Sequence, residues 1–152
     1  IECNARGRIK QEELSPVVGD NVEIELLENE KKGIINKIYE RTTYCKRPKI
    51  ANLSQIILVV SLKNPKPDLL LLDKQLAYSE YLNIKPIICI NKIDIGKKEM
   101  VDEIHKIYER IGYKVINTIA KENIGIDEIR ETLKENITAF SGNSGVRKIN
   151  IN

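Results

Sequence analysis

A polar tetrad directly follows an apolar run near the middle of this sequence. Residues 87–90 are apolar, and Asn91-Lys92-Ile93-Asp94 comes next. The carboxylate of Asp94 can accept hydrogen bonds from both the ring N–H and the exocyclic amine of guanine, whereas adenine would leave a buried charge unpaired. The stem of Lys92 can lie along the base, and Asn91 can tie the loop to its neighbours. Charge-assisted hydrogen bonds contribute roughly 1.5–3 kcal/mol each, so the tetrad predicts a guanine site.

A glycine-rich segment near residue 145 could bind phosphate. Backbone N–H groups of such a loop, where it leaves a strand, can point at phosphate oxygens. The full pattern is Gly, four residues, Gly-Lys and then Ser or Thr; Gly142 opens it here, and Lys148 stands at the lysine position. The predicted phosphate-binding residues are Gly142, Asn143, Ser144, Gly145, Val146 and Lys148.

Two positions of this phosphate pattern are wrong. Arg147 replaces the second glycine, and Ile149 replaces the hydroxyl that would hold Mg²⁺. Either the loop has degenerated, or Arg147 is not bonded to Val146 in the natural protein and residues between them are missing. We favour the second interpretation, because the loop is intact up to Val146. A Cα–Cα separation well beyond about 3.8 Å between the two residues would support it.

A third segment, Thr118-Ile119-Ala120-Lys121, ends a later apolar run. Its backbone groups could contact the guanine carbonyl, and Lys121 could cover the base. By themselves these four residues are better explained by a plain strand-to-helix loop, whereas a polar turn and a guanine site explain the tetrad equally well. The segment gains weight because it follows the tetrad by one predicted helix.

The elements that position these segments alternate between strands and helices. Apolar runs predict strands over residues 55–61, 87–90, 114–119 and 137–140. Helices are predicted over 68–82 with Asp68 as N-cap, from Met100 to a stop at Gly112, and around 126–133 with Asp127 in the first turn. This alternation predicts an α/β domain over residues 51–152 with a parallel sheet, whose ligands bind beyond the carboxyl ends of the strands.

The first 50 residues have a different character. Alternating residues 22–26 and a longer run over 33–44 predict short strands of a small antiparallel barrel. Residues 46–49, with Pro48, indicate a linker to the next domain. The basic residues Arg6, Arg8 and Lys37 are candidates for an RNA-binding face, although a solvated surface explains their pattern equally well.

Composition sets limits on what the protein is. A net charge of +3 is too small to argue for nucleic acid by itself, and no apolar run approaches the roughly 20 residues of a membrane span. The three cysteines fit no disulfide or zinc spacing, which favours a reducing cytoplasm, and Cys89 is expected in the core.

His105 has no second His or Cys near it and is expected at the surface or its boundary. The chain starts at Ile1 and its only methionine is Met100, so we expect a fragment.

The order of these motifs resembles the circularly permuted GTPases of the ribosome small-subunit-dependent GTPase A family. In ordinary GTPases the phosphate loop comes first, whereas here the Asn-Lys-x-Asp tetrad and Ala120-Lys121 precede Gly142. Further stretches are similar to the family: Gly19-Asp20, Arg47-Pro48 before Ala51-Asn52, and Leu72-Asp73. The similarity covers the chain to Val146.

The resemblance implies an N-terminal oligonucleotide-binding (OB-fold) barrel over residues 1–50, followed by a circularly permuted P-loop GTPase domain that is incomplete at its C-terminus. It also implies hydrolysis of GTP to GDP with Mg²⁺, stimulated by the small ribosomal subunit and its rRNA, in late maturation of that subunit. The guanine site would comprise Asn91, Lys92, Ile93, Asp94, Ala120 and Lys121. A monomeric cytoplasmic protein is expected, with no membrane partner.

Some functional parts of the family fall outside this sequence. The switch segments and the zinc-binding C-terminal domain would follow residue 152, so no catalytic residue and no metal ligand is assigned in this chain. Two alternatives stay open: an rRNA-binding module whose nucleotide domain no longer hydrolyses GTP, and an adenine-nucleotide enzyme. Arg147 and Ile149 favour the first if they truly follow Val146.

Overall fold

The computed structural model describes residues 1–7, 15–27, 31–46 and 48–142. The chain divides into two compact units, Ile1–Leu53 and Ser54–Asn152. The predicted phosphate-loop residues 143–146 and 148, the bond between residues 146 and 147, and Arg8 all lie outside the described residues.

A four-stranded parallel sheet forms the centre of the second unit. Its strands are β6 (Gln55–Ser61), β7 (Lys85–Asn91), β8 (Lys114–Thr118) and β9 (Thr138–Gly142), in the order β8-β7-β6-β9. In register, Asn91 lies beside Ser61 on one side and Thr118 on the other, while Gly142 pairs with Val59. The carboxyl ends of β6, β7, β8 and β9 therefore meet at one edge of the sheet, where both nucleotide motifs begin.

Both faces of this sheet are buried, which explains the continuous apolar runs of its strands. Alternate residues of β6 point to opposite faces: Leu58 and Val60 join one core cluster, and Ile57 and Val59 join the other. Helices α1 (Leu69–Tyr81) and α2 (Lys98–Arg110) cover the first face, and α3 (Ile126–Leu133) covers the second. Cys89 has no exposed surface and is a core residue, as predicted.

The helix boundaries follow the predicted signals. The Asp68 carboxylate accepts a hydrogen bond from the Leu71 N–H at 2.9 Å, which caps α1 as predicted. Gly112, just after α2, has φ +96°, the left-handed conformation that ends a helix. β9 ends two residues later than predicted, so Gly142 is its last residue rather than the first of a loop.

The first unit is built of strands, as predicted. β1 (Glu2–Ala5), β3 (Lys32–Ile38) and β2 (Val22–Leu26) form one sheet in that order. β2 runs antiparallel to β3, but β1 runs parallel to it, so the pairing is mixed and the prediction of a purely antiparallel arrangement is wrong. The strands described here form two sheets, and closure into a barrel stays a prediction.

The predicted linker at residues 46–49 is wrong. β4 (Tyr44–Lys46) and β5 (Lys49–Ala51) pair antiparallel, so these residues connect two strands within the first unit. Pro48 suits such a connection because proline has no backbone N–H, and a residue in a turn does not have to donate one. The division between the units comes later, between Leu53 and Ser54.

Asn52, directly after β5, and Gly19, before β2, hold loops of this unit together. The Asn52 side chain accepts from the Thr42 N–H at 2.9 Å and donates to the Gly19 carbonyl at 2.9 Å. Gly19 has φ +89°, and a Cβ there would lie 2.1 Å from the Ala51 carbonyl oxygen, so only glycine fits. The Gly-Asp and Ala-Asn pairs of the sequence thus have a structural role.

Candidate functional site

A cavity of about 280 Å³ lies at the carboxyl edge of the parallel sheet. This is near the lower end of the roughly 300–1,000 Å³ of ligand pockets, a size that suits part of a nucleotide. Three loops line it, one after each of β6, β7 and β8. The lining residues are Lys63 and Asn64; Asn91, Lys92, Asp94 and Ile95; and Ile119, Ala120 and Lys121.

Asn91 joins two of these loops. It is 1% exposed, and its side-chain oxygen accepts from the backbone N–H groups of Lys92 at 2.9 Å and Ala120 at 3.2 Å. The Thr118 hydroxyl lies 3.2 Å from the same oxygen. A buried amide with these partners fixes the residue 118–121 loop to the end of β7.

Lys92 crosses to the loop after β6. Its ammonium donates to the carbonyl oxygens of Lys63 at 3.2 Å and Asn64 at 2.8 Å. Lys92 has φ +64°, a conformation that non-glycine residues adopt at some energetic cost and often at binding sites. The lysine stem therefore forms part of the pocket wall, while its charge is held by backbone oxygens.

Asp94 lies exposed at the pocket, and Ile95, the next residue, donates its N–H to the Lys92 carbonyl at 3.2 Å. Among the residues that the structure describes, none forms a hydrogen bond or an ion pair with the Asp94 carboxylate. A carboxylate that faces a pocket in this way is ready to accept hydrogen bonds from a ligand. Ile93, in contrast, packs its side chain against the core and does not line the cavity.

The loop after β8 closes the third side of the cavity. Ile119 and Ile124 exchange backbone hydrogen bonds at 3.1 and 3.3 Å, which makes a compact turn that presents Ala120 and Lys121 to the pocket. Gly125, which follows this turn, has φ +76°, and a Cβ there would lie 2.1 Å from the Asn117 carbonyl oxygen. The close approach of Gly125 to β8 fixes where α3 begins.

Burial changes the pKa of one side chain of β7, the thiol of Cys89. Burial raises the pKa of the Cys89 thiol to about 11, although a hydrogen bond with Thr118 opposes that rise. The thiol is therefore neutral and unreactive at pH 7. Within the described ranges, no group of three or more His, Cys, Asp or Glu residues is arranged to hold a metal ion.

Sequence reasoning missed three lining residues, Lys63, Asn64 and Ile95. The sequence did hold a signal for Lys63 and Asn64. Both follow a strand predicted to run parallel to the strand before the tetrad, so they were expected at the same edge of the sheet. The predicted residues Asn91, Lys92, Asp94, Ala120 and Lys121 lie together around one cavity. Of the phosphate-binding residues, only Gly142 is described, at the same edge of the sheet.

Models of two protein domains match this sequence. The RsgA GTPase domain matches residues 38–151, and the RsgA N-terminal domain matches residues 1–35. The chain belongs to the RsgA GTPase family. A curated RsgA relative from Clostridium botulinum, named small ribosomal subunit biogenesis GTPase, is 45% identical over 97% of this chain and 50% of its own length. The relative of that name from Caldanaerobacter subterraneus is 40% identical with the same coverage.

Two solved structures share the fold. YjeQ from Thermotoga maritima superposes with a TM-score of 0.83 at 34% identity, covering 95% of this chain and 52% of that one. YloQ, described as a circularly permuted GTPase, gives 0.80 at 35% identity, covering 95% and 51%. The chain therefore has the circularly permuted GTPase fold, and it spans about half the length of the curated relatives it matches. None of the described helices is long and apolar enough to cross a membrane.

Proposed function

We propose that this chain binds GTP and GDP through the cavity beyond β7 and β8, and that Asp94 selects the guanine base. The observation that carries this proposal is an exposed carboxylate, bonded to no other described residue, at a pocket whose other loops are fixed by Asn91 and Lys92. Two N–H donors of guanine would give that carboxylate its partners. Ala120 and Lys121 line the cavity from the loop after β8; the Ala120 N–H is already donated to Asn91, so a base carbonyl would be met by the Lys121 N–H.

For the whole protein we propose hydrolysis of GTP to GDP and phosphate, stimulated by the small ribosomal subunit during its late maturation in the cytoplasm. Support comes from family membership and from relatives named for this role. Phosphoryl transfer depends mainly on positioning and on stabilising charge, so binding to the ribosome could complete a catalytic site. The hydroxyl that would hold Mg²⁺ is replaced by Ile149 in this sequence, and an alkyl side chain does not fit that ion.

We propose that the first unit contacts rRNA and that the protein acts as a monomer. Lys37 is exposed and lies 5.1 Å from the centre of the Tyr39 ring, which is 45% exposed. An exposed cation beside an aromatic ring suits phosphate contact together with stacking on an unpaired base. Arg6 is exposed too, with Glu25 at 3.2 Å as a weak surface partner.

Calorimetric titration of the chain with GDP and with ADP tests the guanine proposal. We expect saturable binding of GDP and at least about 100-fold weaker binding of ADP, because adenine leaves Asp94 without its donors. Equal affinity for the two nucleotides would contradict the assignment and favour the adenine-nucleotide alternative.

The second candidate function is an rRNA-binding module without hydrolysis, which Arg147 and Ile149 favour. Phosphate release from GTP, measured with and without purified small subunits, separates the candidates. Subunit-stimulated release supports the GTPase. Tight GTP binding with no release under either condition supports the module.

The rRNA proposal has its own test, the salt dependence of binding to small subunits. Replacing both Lys37 and Arg6 with alanine is expected to weaken binding and to flatten its salt dependence, because fewer counterions are displaced. The matched control is Lys85→Ala together with Arg110→Ala in the second unit, which leaves both properties unchanged if the contact lies in the first. Identical salt slopes for the two double variants would refute this surface.

A further inference from the structure

A segment without any nucleotide motif contacts the residues around Asp94 in three places. Residues 61–64 end β6 and enter the following loop, and we call them the support loop. Residues 91–96 are called the guanine loop. The inference drawn from these contacts rests on the guanine site proposed above.

The first contact holds Lys92. Its ammonium lies between the carbonyl oxygens of Lys63 and Asn64, and the Lys63 oxygen also accepts from the Ser61 hydroxyl at 2.8 Å. Asn64 has φ +47° and Lys92 has φ +64°, so both partners have the left-handed backbone conformation. Non-glycine residues in this conformation cluster at ligand sites, where the surrounding structure maintains them.

The second and third contacts are made by Leu62. Its N–H donates to the Asn91 carbonyl at 3.3 Å, and its side chain, 8% exposed, belongs to the core cluster under α1 and α2. A Cβ built on Gly96 would lie 2.3 Å from Leu62 Cδ1 and 2.6 Å from Leu62 Cβ. Rotation of the leucine side chain can move Cδ1 but not Cβ. A side chain at position 96 therefore forces the main chain of the guanine loop or of the support loop to shift.

These contacts bracket Asp94. No other described residue bonds to its carboxylate, so its position follows from the main chain on either side, held at Lys92 by the support loop and at Gly96 by Leu62. A misplacement of about 1 Å can lower the rate of an enzymatic reaction by about 100-fold. A carboxylate that binds a base is expected to be sensitive to its position in the same way. The exclusion of a side chain at position 96 thus bears directly on how the carboxylate meets the base.

We propose that the support loop determines guanine selectivity: the Leu62–Gly96 contact positions Asp94, and the carbonyl groups of Lys63 and Asn64 position Lys92. Leu62, Asn64 and Gly96 are then positioning residues of the nucleotide site, although none belongs to a nucleotide-binding motif.

The test compares GDP with IDP, whose base lacks the exocyclic amine and so makes one fewer hydrogen bond to Asp94. Titration calorimetry gives the ratio of the two affinities for the chain and for Gly96→Ala. The control is Gly7→Ala, because Gly7 has no atom within 4 Å of a built Cβ. We expect Gly96→Ala to lower the affinity for GDP by about tenfold or more and to bring the GDP/IDP ratio close to one, while the control retains both.

A purely structural role would not change that ratio. If Gly96→Ala only reduced the folded fraction, GDP and IDP would lose affinity together and the ratio would persist, which would overturn the proposal. If the unaltered chain already failed to distinguish GDP from IDP and ADP, the guanine site itself would be refuted. The two failures are therefore distinguishable.

A second, exposed position keeps the proposal testable if Gly96→Ala does not fold. Asn64→Val places a β-branched residue at φ +47°, where it is strained, so the carbonyl bonded to Lys92 must move. Asn83→Val introduces similar strain at φ +55° in an exposed turn that does not line the nucleotide cavity. Loss of the GDP/IDP ratio in the first variant alone supports the proposal, and equal ratios in both contradict it.

Discussion

At the scale of single residues, Asn91 has the largest structural influence on the nucleotide site. One buried side-chain oxygen accepts two backbone N–H groups from two different loops, and no other described side chain joins the ends of β7 and β8 in this way. Asp94 depends on this arrangement but adds nothing to it, because it bonds to none of the described residues. The residue that shapes the cavity and the residue proposed to select the base are therefore different.

Asn91→Ala is expected to lower the free energy of unfolding by about 2–5 kcal/mol, because two N–H groups lose their acceptor and each unsatisfied group costs about 1–3 kcal/mol. Urea unfolding measures this loss. Thr118→Val is the comparison: it removes one hydroxyl but leaves both N–H groups bonded, so about 1 kcal/mol is expected. An Asn91→Ala loss no larger than that of Thr118→Val would show that Asn91 does not hold the loops.

The residue types in the sequence predicted most of the side chains that line the cavity. They did not predict the contacts that hold those side chains in place. A tetrad of fixed spacing is visible in one sequence because its members are neighbours. Lys92 and Asn64 are 28 residues apart, and the carbonyl that accepts the hydrogen bond belongs to the backbone, so the side-chain pattern contains no trace of their contact. The same is true of Leu62 and Gly96, whose contact depends on the absence of a side chain.

At the scale of elements, α2 is fixed to β8 through the single histidine of the sequence. His105 Nε2 lies 2.9 Å from the Asn117 side-chain oxygen, and Nδ1 lies 2.9 Å from a Glu109 carboxylate oxygen. Both acceptors are satisfied only by the protonated ring, which donates from both nitrogens. Burial acts to lower the pKa of His105, but the hydrogen bonds to Asn117 and Glu109, with the charges of Glu109 and Asp102, raise it overall.

This shift predicts how stability depends on pH. A histidine pKa raised in the folded state contributes stability that is fully present below its unfolded value, about 6.5, and is lost as pH rises through the folded value. The free energy of unfolding should therefore fall as the pH rises above about 6.5. In His105→Gln, which keeps a donor for Asn117 but does not titrate, the fall should be absent. The same slope in both proteins would assign it to other groups.

In the first unit, an ion pair fixes the loops together with the Asn52 hydrogen bonds. The Arg41 guanidinium contacts the Asp20 carboxylate at 2.7 and 2.9 Å, and Asp20 also accepts from the Val17 N–H at 2.8 Å. Burial acts to raise the pKa of Asp20, but these hydrogen bonds and the arginine charge lower it overall. The sequence gives no sign of this pairing, because it joins positions 21 residues apart and follows no period.

Arg41→Ala should destabilise the first unit by about 3–5 kcal/mol, because it leaves a carboxylate that is 2% exposed without its charge partner. Lys134→Ala is the control, since its partner Glu131 is 67% exposed and such a surface pair contributes about 0–1 kcal/mol. Urea unfolding of the two variants, followed by a probe in each unit, makes the comparison. Equal losses would mean that the Asp20 pair contributes no more than a surface contact.

At the scale of the whole molecule, the order of motifs predicted the fold class, because a tetrad that precedes a phosphate loop is compatible with few arrangements. Strand order and register then place Asn91 of the tetrad and Gly142, the first residue of the phosphate pattern, at one edge of the sheet. Sequence reasoning failed at the pairing of β1 with β3 and at the β4–β5 connection, where short strands give too few residues to reveal a partner. The guanine assignment does not depend on either.

The base preference of Asp94→Asn decides whether this carboxylate recognises guanine. The asparagine offers one donor and one acceptor in place of two acceptors, which matches the N1–H and 2-oxo groups of xanthine rather than the two donors of guanine. Calorimetry should show GDP binding weakened by about 100-fold or more and XDP bound more tightly than GDP. Unchanged GDP affinity, with no gain for XDP, would contradict the account.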